Sequence, residues 1–156
     1  MPSRVTVVSR RPMAVPPARA RAAVWDIQNI ERTEVKADAV TVTQTSPTAG
    51  SYTVRGHFAG VPWRGDFFYE LHPSGFHSRN APQPRKGSTI EGGFTVEAVD
   101  EDACVVVHYE QYRLPWYFRP LRLGIVAYLR ASMRRELRDL ERLVRDGAST
   151  VSAAAS

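Results

Sequence analysis

Residues 119–145 read RPLRLGIVAYLRASMRRELRDLERLVR, and this stretch decides the fold. Leu121, Ile125, Tyr128, Leu129, Met133, Leu137, Leu140 and Val144 recur there mostly at spacings of three and four, which is one stripe of a helix. Arginines fill the remaining faces. About 25 helical residues make a rod roughly 37 Å long. Gly147 is a stop signal, and the small residues of 148–156 read as a disordered tail. An apolar stripe of that length has to be buried against another layer.

The sequence before Leu114-Pro115-Trp116 supplies that layer. Residues 61–71 place Trp63, Phe67, Tyr69 and Leu71 on one parity and Arg64, Asp66 and Glu70 on the other, the period of a strand with one wet face. Residues 39–45, 52–58, 76–80, 88–99 and 103–113 carry strand signals too, parted by turn chemistry such as Ser46-Pro47-Thr48-Ala49-Gly50 and His72-Pro73-Ser74-Gly75. Short links make such a sheet antiparallel. Residues 5–8 add a first short strand. Pro16-Pro17 then opens a helix through Ile27, and 28–36 continue as a second short helix or turn. Gly92-Gly93 within a strand predicts a bulge or bend, or else a place where backbone or ligand approaches closely. The fold class is therefore α+β: a curved antiparallel sheet of about seven strands wrapped on a long C-terminal helix, with two short helices after the first strand. One domain spans 1–147. A curved sheet gripping a single helix leaves space between them, the natural place for a small apolar ligand.

Composition fits one globular domain. The chain has 156 residues, 43% hydrophobic and 24% charged. There is no run of ~18 apolar residues, which excludes a membrane-spanning helix. Residues 1–11 lack the apolar core of a secretory signal, so the expected location is cytoplasmic. The single cysteine, Cys104, sits in an apolar run and reads as a buried, inert thiol. The net charge is +5 and comes almost entirely from arginine, since Lys36 and Lys86 are the only lysines. A basic helix face could meet phosphates or an anionic membrane. Asp139 and Glu141, however, stand three or four residues from Arg135, Arg138, Arg142 and Arg145, which predicts a solvated face laced with ion pairs. Nucleic acid is disfavoured, because aromatic residues do not interleave with the arginines. A homodimer is left open.

At this point the sequence resembles the START-like superfamily (also SRPBCC), in its polyketide cyclase/dehydrase and lipid-transport branch with the helix-grip, birch-pollen-allergen-like fold. The resemblance rests on Val15-Pro16-Pro17 leading into Ala22-Ala23-Val24-Trp25-Asp26-Ile27. It also rests on the run of strands, and on Leu114-Pro115 before the helix that ends Glu136-Leu137-Arg138-Asp139-Leu140-Glu141-Arg142-Leu143. It covers about residues 3–145. It implies a cavity for lipids, polyketides or other aromatics, and in some members cyclase or dehydratase activity.

Side-chain parity nominates Tyr52, Trp63, Phe67, Tyr69, Phe76, Phe94, Tyr109, Gln111, Ile125 and Tyr128 as cavity-facing ligand contacts. Arg55 and His57 share the opposite face of their strand. A register shifted by one would bring both inward, where Arg55 could hold a developing enolate and His57 move a proton. His108, Glu110 and Tyr112 share a face expected to be solvated or at the rim. No metal is expected: Cys104 and His108 are four residues apart, roughly 13 Å along a strand. No phosphate-binding loop or hydrolase elbow is present, so no cofactor is implied. The sequence thus points to binding of a small hydrophobic or aromatic molecule. The alternatives are a polyketide cyclase/dehydratase using pocket Arg, His and Tyr, and an interaction module using the basic helix face.

Overall fold

The computed structural model describes residues 3–81 and 89–154, with side chains for 4–81 and 89–147. Seven strands form one antiparallel sheet: β1 (Ser3–Met13), β2 (Ala39–Ser46), β3 (Ala49–Phe58), β4 (Val61–His72), β5 (Gly75–Asn80), β6 (Thr89–Ala98) and β7 (Cys104–Leu114). Their spatial order is β1-β7-β6-β5-β4-β3-β2, so the first strand closes against the last. β1 is longer than its apolar core of 5–8 suggested. Its Val5 and Val7 are buried, and every residue from Ser3 to Met13 has a partner on β7.

Between β1 and β2 lie α1 (Pro17–Trp25), a 3-10 turn (Ile27–Asn29) and α2 (Ile30–Thr33). Pro17 sits at the start of α1, where its missing N–H costs nothing, and α1 buries Pro17, Ala20 and Val24. The Asp26 side chain accepts a hydrogen bond from the Gln28 amide and starts the next turn. Trp25 Nε1 donates to the carbonyls of His72 (2.8 Å) and Gly75 (3.1 Å), pinning α1 to the β4–β5 turn.

A 3-10 segment (Trp116–Leu121) leads into α3 (Arg122–Ala154). Leu129, Met133, Leu137, Leu140 and Val144 of α3 are buried against the sheet, as the stripe requires. Leu121 departs from it at 59% exposed, because it precedes α3 in a segment that buries nothing. The helix also runs past Gly147, which has no steric need of glycine there. Among the described residues no helix is long and apolar enough to cross a membrane.

The expected bulge at Gly92-Gly93 is absent. β6 pairs with β7 in unbroken register from Thr89–Arg113 to Ala98–Cys104. Gly93 answers the other expectation, a close backbone approach: a Cβ there would lie 2.0 Å from the Phe76 carbonyl oxygen on β5.

Candidate functional site

Register fixes which residues meet on the inner face. In antiparallel pairs, directly opposed residues share a face. Tyr52 stands opposite Phe67, Phe76 opposite Phe94, and Phe94 opposite His108. One row crosses the sheet as Tyr69, Ser78, Gly92, Glu110 and Val7. Inside β7 the inward set is therefore Cys104, Val106, His108, Glu110 and Tyr112, all buried. This reverses the expected parity for that strand. Tyr109 and Gln111 point outward: the Tyr109 hydroxyl lies 2.7 Å from His77 Nδ1, and the Gln111 amide oxygen accepts from Arg4.

The cavity lies on the inner face of the sheet and is walled by Tyr52, Val54, Phe58, Trp63, Phe67, Phe76, Ile90 and Phe94. Its lining comes from β3–β7 and the segment after α2, and no α3 residue lines it, so it is not the expected space between sheet and C-terminal helix. Its polar end carries Glu34, Lys36, Ser78, His108, Glu110 and Tyr112. Of the ten residues expected to contact ligand, Tyr52, Trp63, Phe67, Phe76 and Phe94 line it. Tyr69 is buried in the core, 6.1 Å from the Tyr52 ring. Ile125 and Tyr128 belong to a second apolar cluster around Val5, Val7 and Met133. Arg55 and His57 are exposed on the outer face, and His57 Nδ1 lies 2.6 Å from Asp38. The register shift that would have brought them inward does not occur: the one irregularity of β2–β3 lies away at Gln44–Ser46, its pairing is unbroken from Gly50 to Arg55, and β3–β4 pairs continuously through both residues.

The cavity measures about 70 Å³. That is room for a few waters and less than the roughly 150 Å³ that holds a benzene ring. Phe58, Trp63 and Ile90 are only half-buried and form the part of the wall that meets solvent.

The sequence reading missed the buried charges. Lys36 Nζ donates to Glu110 Oε1 at 2.8 Å and stands 3.5 Å from Glu136 Oε1. Glu136 comes from α3 and is fully buried; His108 Nδ1 lies 3.2 Å from its other oxygen, without hydrogen-bond alignment. The Tyr112 hydroxyl donates to Glu110 Oε2 at 2.7 Å, and the Tyr52 hydroxyl donates to Ser78 Oγ at 3.0 Å. His108 stacks on Phe94 with ring centres 4.0 Å apart. Lys36 reaches this place because Gly56 on β3 has no side chain. A Cβ there would stand 1.7 Å from the Lys36 carbonyl oxygen. Trp63 Nε1 donates to that same carbonyl at 3.0 Å.

Burial and charge pull these groups in opposite directions. Burial opposes the Lys36 ammonium, but Glu110, Tyr112, Glu136 and Glu34 outweigh it and hold its pKa well above the usual lysine value. His108 behaves alike: burial lowers its pKa, and Glu136 and Glu110 more than restore it. Burial raises Glu136, yet Lys36 and His108 bring it below the ordinary carboxylate range. Glu34 has the reverse fate. Burial of its inward carboxyl pushes its pKa up to about 7, with Lys36 opposing and Glu136 and Glu110 adding to the rise.

Glu34, His108, Glu110 and Glu136 also form a candidate metal-ligand set, their donor atoms all within 4.8 Å of one another. The Lys36 ammonium lies among them, so a divalent ion would have to displace it. Spacing along single strands could not reveal this set, because its members come from the end of α2, from β7 and from α3.

No protein-family model matches the sequence, and no curated protein sequence matches it. Solved structures do. TTHA0849 from Thermus thermophilus superposes with a TM-score of 0.78 at 17% identity, over 92% of this chain and 99% of that one. The Zhui aromatase/cyclase from Streptomyces sp. R1128 gives 0.71 at 12% identity over 99% of both chains. A START superfamily protein from Mycobacterium smegmatis gives 0.70 at 11% identity, over 90% and 97%. At these identities the likeness establishes the fold.

Proposed function

We propose, from the START-like helix-grip fold that this chain shares with those structures, that it binds a small, largely apolar or aromatic molecule carrying a polar group. The site is the cavity on the inner face of the sheet, between β3–β7 and the segment that follows α2. The observation that carries this reading is an aromatic-walled cavity ending in a buried charged cluster. Apolar rings supply area for a greasy body, and Ser78, Lys36 and Glu34 supply partners for a carbonyl or phenol. Titration with 1-naphthol, followed by calorimetry, tests it. Ile90→Trp, which narrows the half-exposed wall, is expected to weaken binding at least tenfold with circular dichroism unchanged. Equal binding by that variant would remove the cavity as the site.

A second reading, a cyclase/dehydratase of polyketide-like substrates, is favoured by one observation: Glu34 and Lys36 line the same end of the cavity, where burial pushes the Glu34 pKa up to about 7. The Lys36 ammonium would polarise a ketone oxygen. Glu34 as carboxylate would take a proton from the neighbouring carbon, a new C–C bond would form at a second carbonyl, and Glu34 would return the proton to the new oxyanion. Loss of that hydroxyl with an adjacent C–H proton releases water. Under this reading Lys36 and Glu34 replace Arg55 and His57 as catalytic residues. Glu34→Gln should then reduce cyclisation of a linear poly-β-ketone by about 100-fold or more, while Arg55→Ala and His57→Ala leave it unchanged. Full turnover in Glu34→Gln would leave binding alone.

A further inference from the structure

The 3-10 segment Trp116–Leu121 and the first turn of α3 form a knob that the fold does not use. Nothing in the 3-10 segment is buried. Trp116 is 67% exposed, Tyr117 58%, Leu121 59% and Leu123 85%. Trp116, Tyr117 and Phe118 touch ring to ring, which gives the knob its own internal packing. Pro115 just before it and Pro120 within it stiffen the backbone. Exposed apolar side chains grouped in this way mark a surface that is covered in use.

Charge indicates the cover. Arg119 and Arg122 lie within the knob, and no acidic residue occurs between Glu110 and Glu136. Among the described residues, neither arginine has an acid within ion-pair distance. The C-terminal half of α3 differs: Arg135, Arg142 and Arg145 pair with Asp139 or Glu141. The knob is therefore cationic and aromatic-aliphatic at once. Trp and Tyr lie well at the headgroup level of a bilayer, Leu reaches below it, and Arg meets phosphate. A nucleic acid would use the arginines but leave the two leucines in water. α3 connects the knob to one residue of the cavity wall. Tyr128, two turns after Leu121, packs its ring 4.8 Å from Phe58 of the cavity wall and accepts a hydrogen bond from the Ala59 amide.

We propose that this knob, Trp116, Tyr117, Arg119, Leu121, Arg122 and Leu123, is a docking surface for an anionic phospholipid membrane. The body of the protein stays in water and the membrane is touched from one side. This holds whatever the cavity binds.

Vesicle flotation of the full chain tests it, with phosphatidylcholine vesicles against vesicles in which about a third of the lipid is phosphatidylglycerol. The expected result is flotation with the anionic vesicles, loss in high salt, and quenching of tryptophan emission by brominated acyl chains. Trp116→Ser with Leu123→Ser should weaken partitioning at least about tenfold. Arg119→Ser with Arg122→Ser should weaken it roughly 25-fold. These side chains are exposed, so both variants should melt with the wild type. Three results would overturn the proposal: no flotation with anionic vesicles, equal flotation of the two double variants and the wild type, or a solution dimer that Trp116→Ser with Leu123→Ser dissociates, meaning a second copy covers the knob.

Discussion

Lys36 is the residue on which the buried cluster turns. Its ammonium faces Glu110 at 2.8 Å and Glu136 at 3.5 Å, both buried. Lys36→Met would remove the ammonium that Glu110 and Glu136 share inside the buried cluster. Such a loss costs about 3–5 kcal/mol, to be read as a lowered urea midpoint. Glu34 makes a separate prediction. Its folded pKa, about 7, lies above the ordinary value of 4.5, so the folded state holds the proton more tightly than the unfolded state. That contribution is complete below 4.5 and is lost as pH rises through 7. His108, also raised, acts in the same direction above its ordinary 6.5. Glu136, lowered, loses its contribution as pH falls below 4.5. The melting temperature should therefore decline from about pH 5 to pH 8, and Glu34→Gln should flatten part of that slope. An unaltered slope in the variant would assign it to other groups. In the sequence, Glu34 and Lys36 look like any charged pair after a short helix. Only Gly56, whose missing side chain admits the Lys36 backbone, gives them their place.

At the scale of elements, the strands were legible because alternation survives folding intact. The structure moves their bounds by a residue or two, β1 and β3 apart. The parity of β7 was misread for a specific reason. Cys104–Val107 is apolar at every position, so alternation has no phase there. The signal that could have set the phase was the hairpin: a tight turn around 100–102 already places Phe94 opposite His108. The β3–β4 turn carries a prediction of its own. Ala59 has φ of 49° and Gly60 of 82°, the left-handed pair of a two-residue hairpin. Alanine is strained there and asparagine is not. Ala59→Asn should raise stability by about 0.5–1 kcal/mol, measured as a higher melting temperature.

The whole molecule is a sheet gripping one helix, and the grip is tighter than the topology alone implies. A cavity of about 70 Å³ cannot take a naphthol ring while Phe58, Trp63 and Ile90 hold their positions. Stopped-flow fluorescence should therefore show association slower than about 10⁵ M⁻¹s⁻¹, levelling off at high ligand as opening becomes limiting. A rate near the diffusion limit would mean that binding needs no opening. By itself the sequence determined the periodic features: seven strands, a long helix and their order along the chain, while the helix-grip architecture came from the family resemblance that those features carry. These follow from side-chain spacing along a local backbone, which one chain segment specifies alone. The tertiary structure alone decided the cluster of Glu34, Lys36, His108, Glu110 and Glu136, and how little space lies beside it. Those depend on register between strands and on the approach of residues far apart in the chain, Lys36 to Glu110 and to Glu136, and His108 to Glu136. No local pattern encodes such distances, because they exist only once every layer is packed.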